Sequence, residues 1–274
     1  MRLLLRTLLT IAGFDPSSGA GVTADLAVMA VHRFFGMSAI TALTVQSTLG
    51  VRSTHAVDAT VLQATLECLL DDVRPGGVKI GMLGSAAAVE VVAAFVERLR
   101  RDGGRVPVVL DPVLRSSSGR DLLDASGVET LRRRLLGLVD WVTPNTAELA
   151  VLTGMPVGSH EEIERAAGSL RGVDVVATGG DLERADDLVL LKNGARHWLS
   201  GEKIASSATH GTGCAFSTAL LCGLASGMDG LAAAEAAKHY VAEAIRRAEP
   251  IGRGKGPMRL LWPLAGGDDL DSSG

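Results

Sequence analysis

His210-Gly211-Thr212-Gly213-Cys214 runs directly into Ala215-Phe216-Ser217-Thr218-Ala219-Leu220-Leu221. Two glycines flank a threonine, a thiol follows, and then comes an uncharged run fit for a buried helix. Glycine lets the backbone approach a ligand closely. The first amides of a helix lack intrahelical partners and lie at the positive end of its dipole, so they hold anions. The stretch reads as an oxyanion or phosphate cradle with Cys214 at a helix mouth, and suggests phosphoryl transfer. A plain tight loop before a helix is the alternative.

Outward from this loop, strand and helix patterns alternate. Leu8–Ala12 reads as a strand and Val22–Phe35 as a helix, with Leu26, Met29, Ala30 and Phe34 at helical spacing. Strand Ala39–Val45, helix Ala59–Val73, strand Val78–Ile80, helix Ala86–Arg100 and strand Pro107–Leu110 follow. Helix Val128–Leu138 leads to strand Trp141–Val142, short helices Ala147–Leu152 and Glu161–Leu170, and strand Val173–Ala177. Leu188–Leu191 and Arg196–Leu199 form a hairpin turning at Asn193-Gly194, and helices Ala215–Ala225 and Leu231–Ala248 close the series. This alternation predicts an α/β fold, a mostly parallel central sheet with helices on both faces. No linker or repeat divides it, so residues 1–265 read as a single domain. The stretch 266–274, rich in Gly, Asp and Ser, reads as a disordered tail.

The 274 residues suffice for a sizeable core. Hydrophobic residues make up 47% of the chain but aromatics only 3%, so Ala, Val, Leu and Ile must fill it, as in parallel strands buried on both faces. The net charge of −4, with no basic patch, argues against nucleic-acid binding. Arg132-Arg133-Arg134 reads as a solvated helix face. Arg6 interrupts the apolar N-terminal run, which makes a poor signal peptide. The uncharged stretches 34–51 and 204–228 carry too many Ser, Thr, Gly and Gln to span a membrane. Three cysteines without metal or disulfide spacing suit a reducing cytoplasm, with Cys68 and Cys222 as small core hydrophobes.

Two other glycine loops compete for attention. Gly13-Phe14-Asp15-Pro16-Ser17-Ser18-Gly19-Ala20-Gly21 is not a Walker loop, because no Lys follows its second glycine. Gly19-Ala20-Gly21-Val22-Thr23-Ala24 fits the dinucleotide pattern in letters. The loop is too long for that turn, however, and the next strand ends in Gln46 instead of an acidic residue. Thr178-Gly179-Gly180, after a strand, reads on its own as a turn.

Gln46 ends an apolar strand, where the ligand sites of α/β sheets open. Its carboxamide sets a donor beside an acceptor, which suits a ring nitrogen and an amino group; a capping role is the alternative. Asp111 also ends a strand, placed for Mg2+ or phosphate chemistry or for an Asp-Pro turn. Asn145 and Glu148 follow another strand end, where Glu148 serves a metal-bound water or its own helix dipole. Three roles stay open for Cys214: a general base with its pKa lowered by the helix N-terminus, a substrate contact, or packing. On position alone Asp25 is a solvated helix residue, and His210 is a positional neighbour of the cradle. The histidines form no metal set.

Several strings stand in order: Ile11-Ala12-Gly13-Phe14-Asp15-Pro16-Ser17-Ser18-Gly19-Ala20-Gly21 with Ala24-Asp25-Leu26, then Thr41-Ala42-Leu43-Thr44-Val45-Gln46-Ser47-Thr48 and Lys79-Ile80-Gly81-Met82-Leu83. Asp111-Pro112-Val113, Thr143-Pro144-Asn145, Gly179-Gly180, the cradle and Gly254-Lys255-Gly256-Pro257 complete the set. It spans about residues 7–260 and resembles the ribokinase-like superfamily, most closely the hydroxymethylpyrimidine and phosphomethylpyrimidine kinases of thiamine synthesis. The resemblance implies a ribokinase-like three-layer sandwich and a cytoplasmic homodimer. It also implies ATP- and Mg2+-dependent phosphorylation of 4-amino-5-hydroxymethyl-2-methylpyrimidine and then of its monophosphate.

By the same resemblance, Gly211, Thr212, Gly213 and Cys214 meet the phosphoryl group, and Gly13, Ala20, Asp25, Gln46, Met82 and Val113 hold the ring. Asn145, Thr178 and Gly180 meet the nucleotide, and Asp111 and Glu148 serve the metal. Ser18, Thr23, Ser47, Thr178 and Asp181 depart from the family's pattern; at Thr178 a frequent Lys, a phosphate counter-charge, is missing. Pyridoxal kinase, whose substrate shares a ring and a hydroxymethyl group, is the enzyme alternative. A non-catalytic pyrimidine sensor is the alternative of another class.

Overall fold

Short strands rich in Val, Leu and Ile can bury both faces only if helices cover each side. The computed structural model meets that demand; it describes residues 6–103, 105–116, 119–180 and 184–264. Asp181 and the stretch 266–274 lie outside the described residues. In chain order the elements are β1 (Thr7–Phe14), α1 (Gly21–Val31), β2 (Phe35–Ser47), β3 (Gly50–Ala56), α2 (Ala59–Asp72), β4 (Val78–Ile80), α3 (Ala86–Arg101) and β5 (Val108–Leu110). Then come α4 (Ala125–Thr130), β6 (Trp141–Val142), α5 (Thr146–Thr153), α6 (His160–Ser169), β7 (Asp174–Ala177), β8 (Asp187–Leu190), β9 (Arg196–Leu199), α7 (Thr212–Ala225) and α8 (Gly230–Arg246).

The strands form one sheet in the order β3-β2-β1-β4-β5-β6-β7-β8-β9. The run from β2 to β7 is parallel, and β3, β8 and β9 are antiparallel. Successive residues of a strand feed opposite cores: Val108 and Leu110 pack with helices α2 to α6, whereas Val109 packs with α1, α7 and α8. This is the three-layer sandwich. All residues from Ala215 to Gly223 of α7 are buried, so that helix has no polar stripe.

Four details differ from the sequence reading. The first helix ends at Val31, not Phe35, because Arg33 turns left-handed (φ +64°) and Phe35 opens β2. Strand β3 has no hydrophobic alternation; it is a half-exposed partner of β2, held by its backbone ladder. The single helix Val128–Leu138 is instead the tail of α4, a wide turn Leu131–Leu135 and a tight turn Leu136–Leu138. Gly137, a poor helix former, lies in the last of these. Cys68 is exposed, not core, whereas Cys222 is buried. The Arg132–Arg134 run is solvated as expected, with Arg134 reaching Glu90 at 2.9 Å. Among the described residues no helix is long and apolar enough to cross a membrane.

Candidate active site

The parallel strands end along one edge, and a cleft of about 2200 Å³ opens there. That is more than one small ligand fills, so two ligands fit together. Gly13, Gln46, Met82, Asp111, Asn145 and Thr178 reach it from the ends of six different strands.

Helix capping separates working helix ends from structural ones. Asp58, Ser85, Asp124, Asn145, Ser159 and Asp229 cap their helices with side chains. Helices α1 and α7 have no side-chain cap, and both begin at the cleft, behind Ala20 and Gly211. Their two loops interlock. Gly211 is left-handed, with φ +81°, and a Cβ there would strike the carbonyl of Gly19. Gly21, with φ +62°, lies likewise against the carbonyl of Gly13. Thr212, Gly213 and Cys214 thus present the first amides of α7 to the cleft.

Beneath that mouth is a buried charge cluster. The Lys79 Nζ lies 2.9 Å from Asp25 Oδ2 and 3.9 Å from Asp111 Oδ2. Asp25 also accepts from Thr10 at 2.5 Å and Thr218 at 2.8 Å. Asp25 is fully buried and does not line the cleft. Its expected substrate contact is therefore corrected: its oxygens are occupied by the ion pair and two hydroxyls. Asp111 does line the cleft, close under Gly213, and accepts from Ser217 at 3.2 Å. Burial pushes the Asp111 carboxyl up, against the pull of Lys79 and with help from Asp25.

Burial also pushes the Cys214 thiol up to about 12; Lys79 opposes this, and Asp111 and Asp25 add to it. The lowered pKa expected of a helix N-terminus is thus overridden by desolvation and two carboxylates. That surrounding disfavours the thiolate a general base would need, while Cys214 itself stays partly exposed at the cleft.

Gln46 meets the cradle from the opposite wall. Its amide end lies 3.0 Å from His210 Nε2, which is 2.7 Å from Asp15 Oδ2. Burial opposes the charge of Asp15, but hydrogen bonds from His210 and Ser17 hold its carboxyl below the ordinary value. Met82, with Ala42, Leu122 and Val113, makes a small apolar cluster beside this polar group. Ala20 and Gly13 add small walls, and a Cβ on Gly13 would press on the Met82 sulfur at 3.0 Å.

At the far end, Asn145 and Glu148 form a capping box. Asn145 Oδ1 accepts from the Glu148 amide at 2.9 Å, and Glu148 Oε2 accepts from the Asn145 amide at 3.0 Å. Glu148 Oε1 accepts from the Leu114 amide at 3.4 Å. Thr178 pairs beside Asn145, and Gly180 is exposed on the same wall. No cluster of three metal-type side chains occurs among the described residues.

Sequence reasoning gave no role to Lys79 or Asp15. A lone cation inside the apolar strand Val78-Lys79-Ile80 was the available signal for the first. For the second it was an Asp with Ser two residues on, which closes a turn at 2.8 Å.

A cleft roomy enough for two small ligands, with uncapped helix amides on its wall, suits phosphoryl transfer, and this fold and site define a small-molecule kinase. The phosphomethylpyrimidine kinase family profile matches residues 15–259. A hydroxymethylpyrimidine/phosphomethylpyrimidine kinase of Synechococcus elongatus is 38% identical, over 93% of this chain and 97% of its own. A phosphomethylpyrimidine kinase structure from Clostridium difficile has a TM-score of 0.77 at 31% identity, covering 88% of this chain and 99% of its own. A Staphylococcus aureus pyridoxal kinase in complex with AMP-PCP and pyridoxal has a TM-score of 0.83 at 28% identity, covering 94% of each chain. The chain belongs to the phosphomethylpyrimidine kinase family, on a ribokinase-like fold.

Proposed function

We propose that this kinase transfers the γ-phosphoryl group of ATP to the hydroxymethyl group of 4-amino-5-hydroxymethyl-2-methylpyrimidine, and then phosphorylates the monophosphate. The contact between Gln46 and His210 carries the reading. It puts a ring-reading amide against the residue that opens the phosphate cradle, at 3.0 Å.

The ring lies between Gln46 and the apolar wall of Met82 and Val113, with Gly13 and Ala20 giving it room. Its hydroxymethyl oxygen faces the Cys214 thiol, which orients it. The amides of Gly211–Cys214 hold the migrating phosphoryl group; one such donor is worth about 3–4 kcal/mol. The loose transition state of phosphoryl transfer keeps the nucleophile's proton until late, when it passes to an oxygen of the transferred phosphate or to water, so no strong base is needed.

Asn145, Thr178 and Gly180 line the nucleotide end. The donor set fits Mg2+, which keeps several waters and takes one or two carboxylates besides the phosphates. Asp111 would hold it directly and Glu148 through water, since backbone amides already occupy both Glu148 oxygens. Bound there, the ion neutralises phosphate charge.

The family resemblance implies a homodimer, and exposed Leu43, Val45 and Leu49 on the β2–β3 hairpin offer apolar surface for one; light scattering tests it. Pyridoxal is the second reading, favoured by the likeness to the pyridoxal kinase structure. The test is kcat/KM for the aminopyrimidine and for pyridoxal, with ATP and Mg2+, product followed by mass. A preference for the aminopyrimidine is expected; a strong preference for pyridoxal reverses the assignment.

A further inference from the structure

One histidine nitrogen has two partners. His210 Nε2 lies 2.7 Å from Asp15 Oδ2 and 3.0 Å from the amide end of Gln46. The Asp15 carboxylate is a committed acceptor: it takes the Ser17 amide at 2.8 Å, the Ser17 hydroxyl at 2.7 Å and the Ala20 amide at 3.0 Å. A carboxylate so surrounded can only accept, so His210 Nε2 carries a hydrogen. A nitrogen that carries a hydrogen cannot accept one from an amide NH2. The two ends of a carboxamide occupy interchangeable positions, and the partner decides which end faces it. The end of Gln46 against His210, assigned as Nε2 by position alone, is therefore its carbonyl oxygen, which shares the His210 Nε2 hydrogen with Asp15, and the NH2 is left for the cleft.

The histidine itself is tightly seated. A Cβ on Gly19 would collide with the His210 ring. The His210 amide donates to the Gly256 carbonyl at 3.1 Å, which ties the residue to the Gly254–Pro257 string. His210 is only 9% exposed, so solvent does not compete for its bond to Asp15.

We propose that His210, anchored by Asp15, is the positioning residue that fixes the Gln46 amide so that only its NH2 donor faces the acceptor ring. The inference rests on the reading that the ring binds against Gln46. Gln46 then recognises a ring nitrogen, an acceptor, and does not take the hydrogens of an exocyclic amino group. Pyrimidine and pyridine rings both offer such a nitrogen, so this amide alone does not separate them.

The test is isothermal titration of hydroxymethylpyrimidine and of AMP-PCP, each into the wild type, Gln46→Ala, His210→Leu, His210→Gln and the double variant Gln46→Ala/His210→Leu. Gln46→Ala is expected to weaken ring binding by roughly tenfold or more, the worth of one good hydrogen bond. His210→Leu should weaken it comparably, and by more than it weakens AMP-PCP. The double variant should match Gln46→Ala alone, because His210 acts through Gln46. His210→Gln, which sets an N–H near the same point, should restore most of the affinity and guards against a misfolded leucine variant. If Gln46→Ala leaves ring affinity unchanged, the ring-binding reading itself fails. If Gln46→Ala weakens binding but His210→Leu does not, or the two losses multiply in the double variant, the positioning role is overturned while the ring reading stands.

Discussion

Replacing Lys79 with methionine should destabilise the protein by about 3–5 kcal/mol, the cost of breaking a buried ion pair from one side. Lys79 and Asp25 are both fully buried, 2.9 Å apart. Methionine fills a similar volume, so little of the loss comes from a cavity. What remains is an Asp25 carboxylate kept from water, with the hydroxyls of Thr10 and Thr218 and without its counter-charge. Asp111, 3.9 Å from the same ammonium, loses its compensation too.

A domain of this kind is stable by only about 5–15 kcal/mol. At about 2–4 °C per kcal/mol for a chain of this size, Tm should fall by roughly 6–20 °C. Calorimetry of Lys79→Met, Asp25→Asn and the double variant at neutral pH is the assay. The double variant should be more stable than the sum of the single losses allows, because it buries no unpaired charge. A Tm within about 3 °C of wild type for Lys79→Met, or purely additive losses, would falsify the cluster's role as a buried, mutually compensating unit.

Three other outcomes are expected. Burial and the neighbouring carboxylates disfavour the Cys214 thiolate, so iodoacetamide should label exposed Cys68 faster than partly buried Cys214 at pH 8; faster labelling of Cys214 by peptide mapping contradicts the raised thiol pKa. Gly211→Ala places a Cβ at φ +81° against the Gly19 carbonyl, so kcat should fall by about a hundredfold in a protein whose circular dichroism is unchanged; a loss below about fivefold removes this loop from the chemistry. Burial opposes the charge of Asp140, but Arg100 and Arg105 hold its carboxyl below the ordinary value, so its stabilisation is present above about pH 4 and lost as pH falls through the folded pKa. Asp140→Asn should accordingly lower Tm at neutral pH and flatten its acid decline; an unchanged acid slope refutes this.

The layer order was legible because strong periodicities alternate from Leu8 to Ala248, and each apolar run is long enough to bury. The hairpin partner β3 was not, because Gly50-Val51-Arg52-Ser53-Thr54-His55-Ala56 buries little and is held by backbone pairing, which side-chain pattern does not report. The residues expected at the site gather at one cleft except Asp25, whose role depends on Lys79, 54 residues away in sequence. A carboxylate's partner across that distance is set by the fold, not by local spacing. The same holds for the thiol of Cys214: its helix position is visible in the sequence, but the burial that raises its pKa is a property of the packed site.

The most direct test is a crystal structure with hydroxymethylpyrimidine, ADP, Mg2+ and aluminium fluoride. The ring should lie against Gln46 with its hydroxymethyl oxygen beside Cys214. The fluoride group should accept from the amides of Gly211–Cys214, between that oxygen and the ADP. A fluoride group held away from that loop, or a ring bound where Gln46 cannot reach it, contradicts a single cleft in which cradle and amide serve the same transfer.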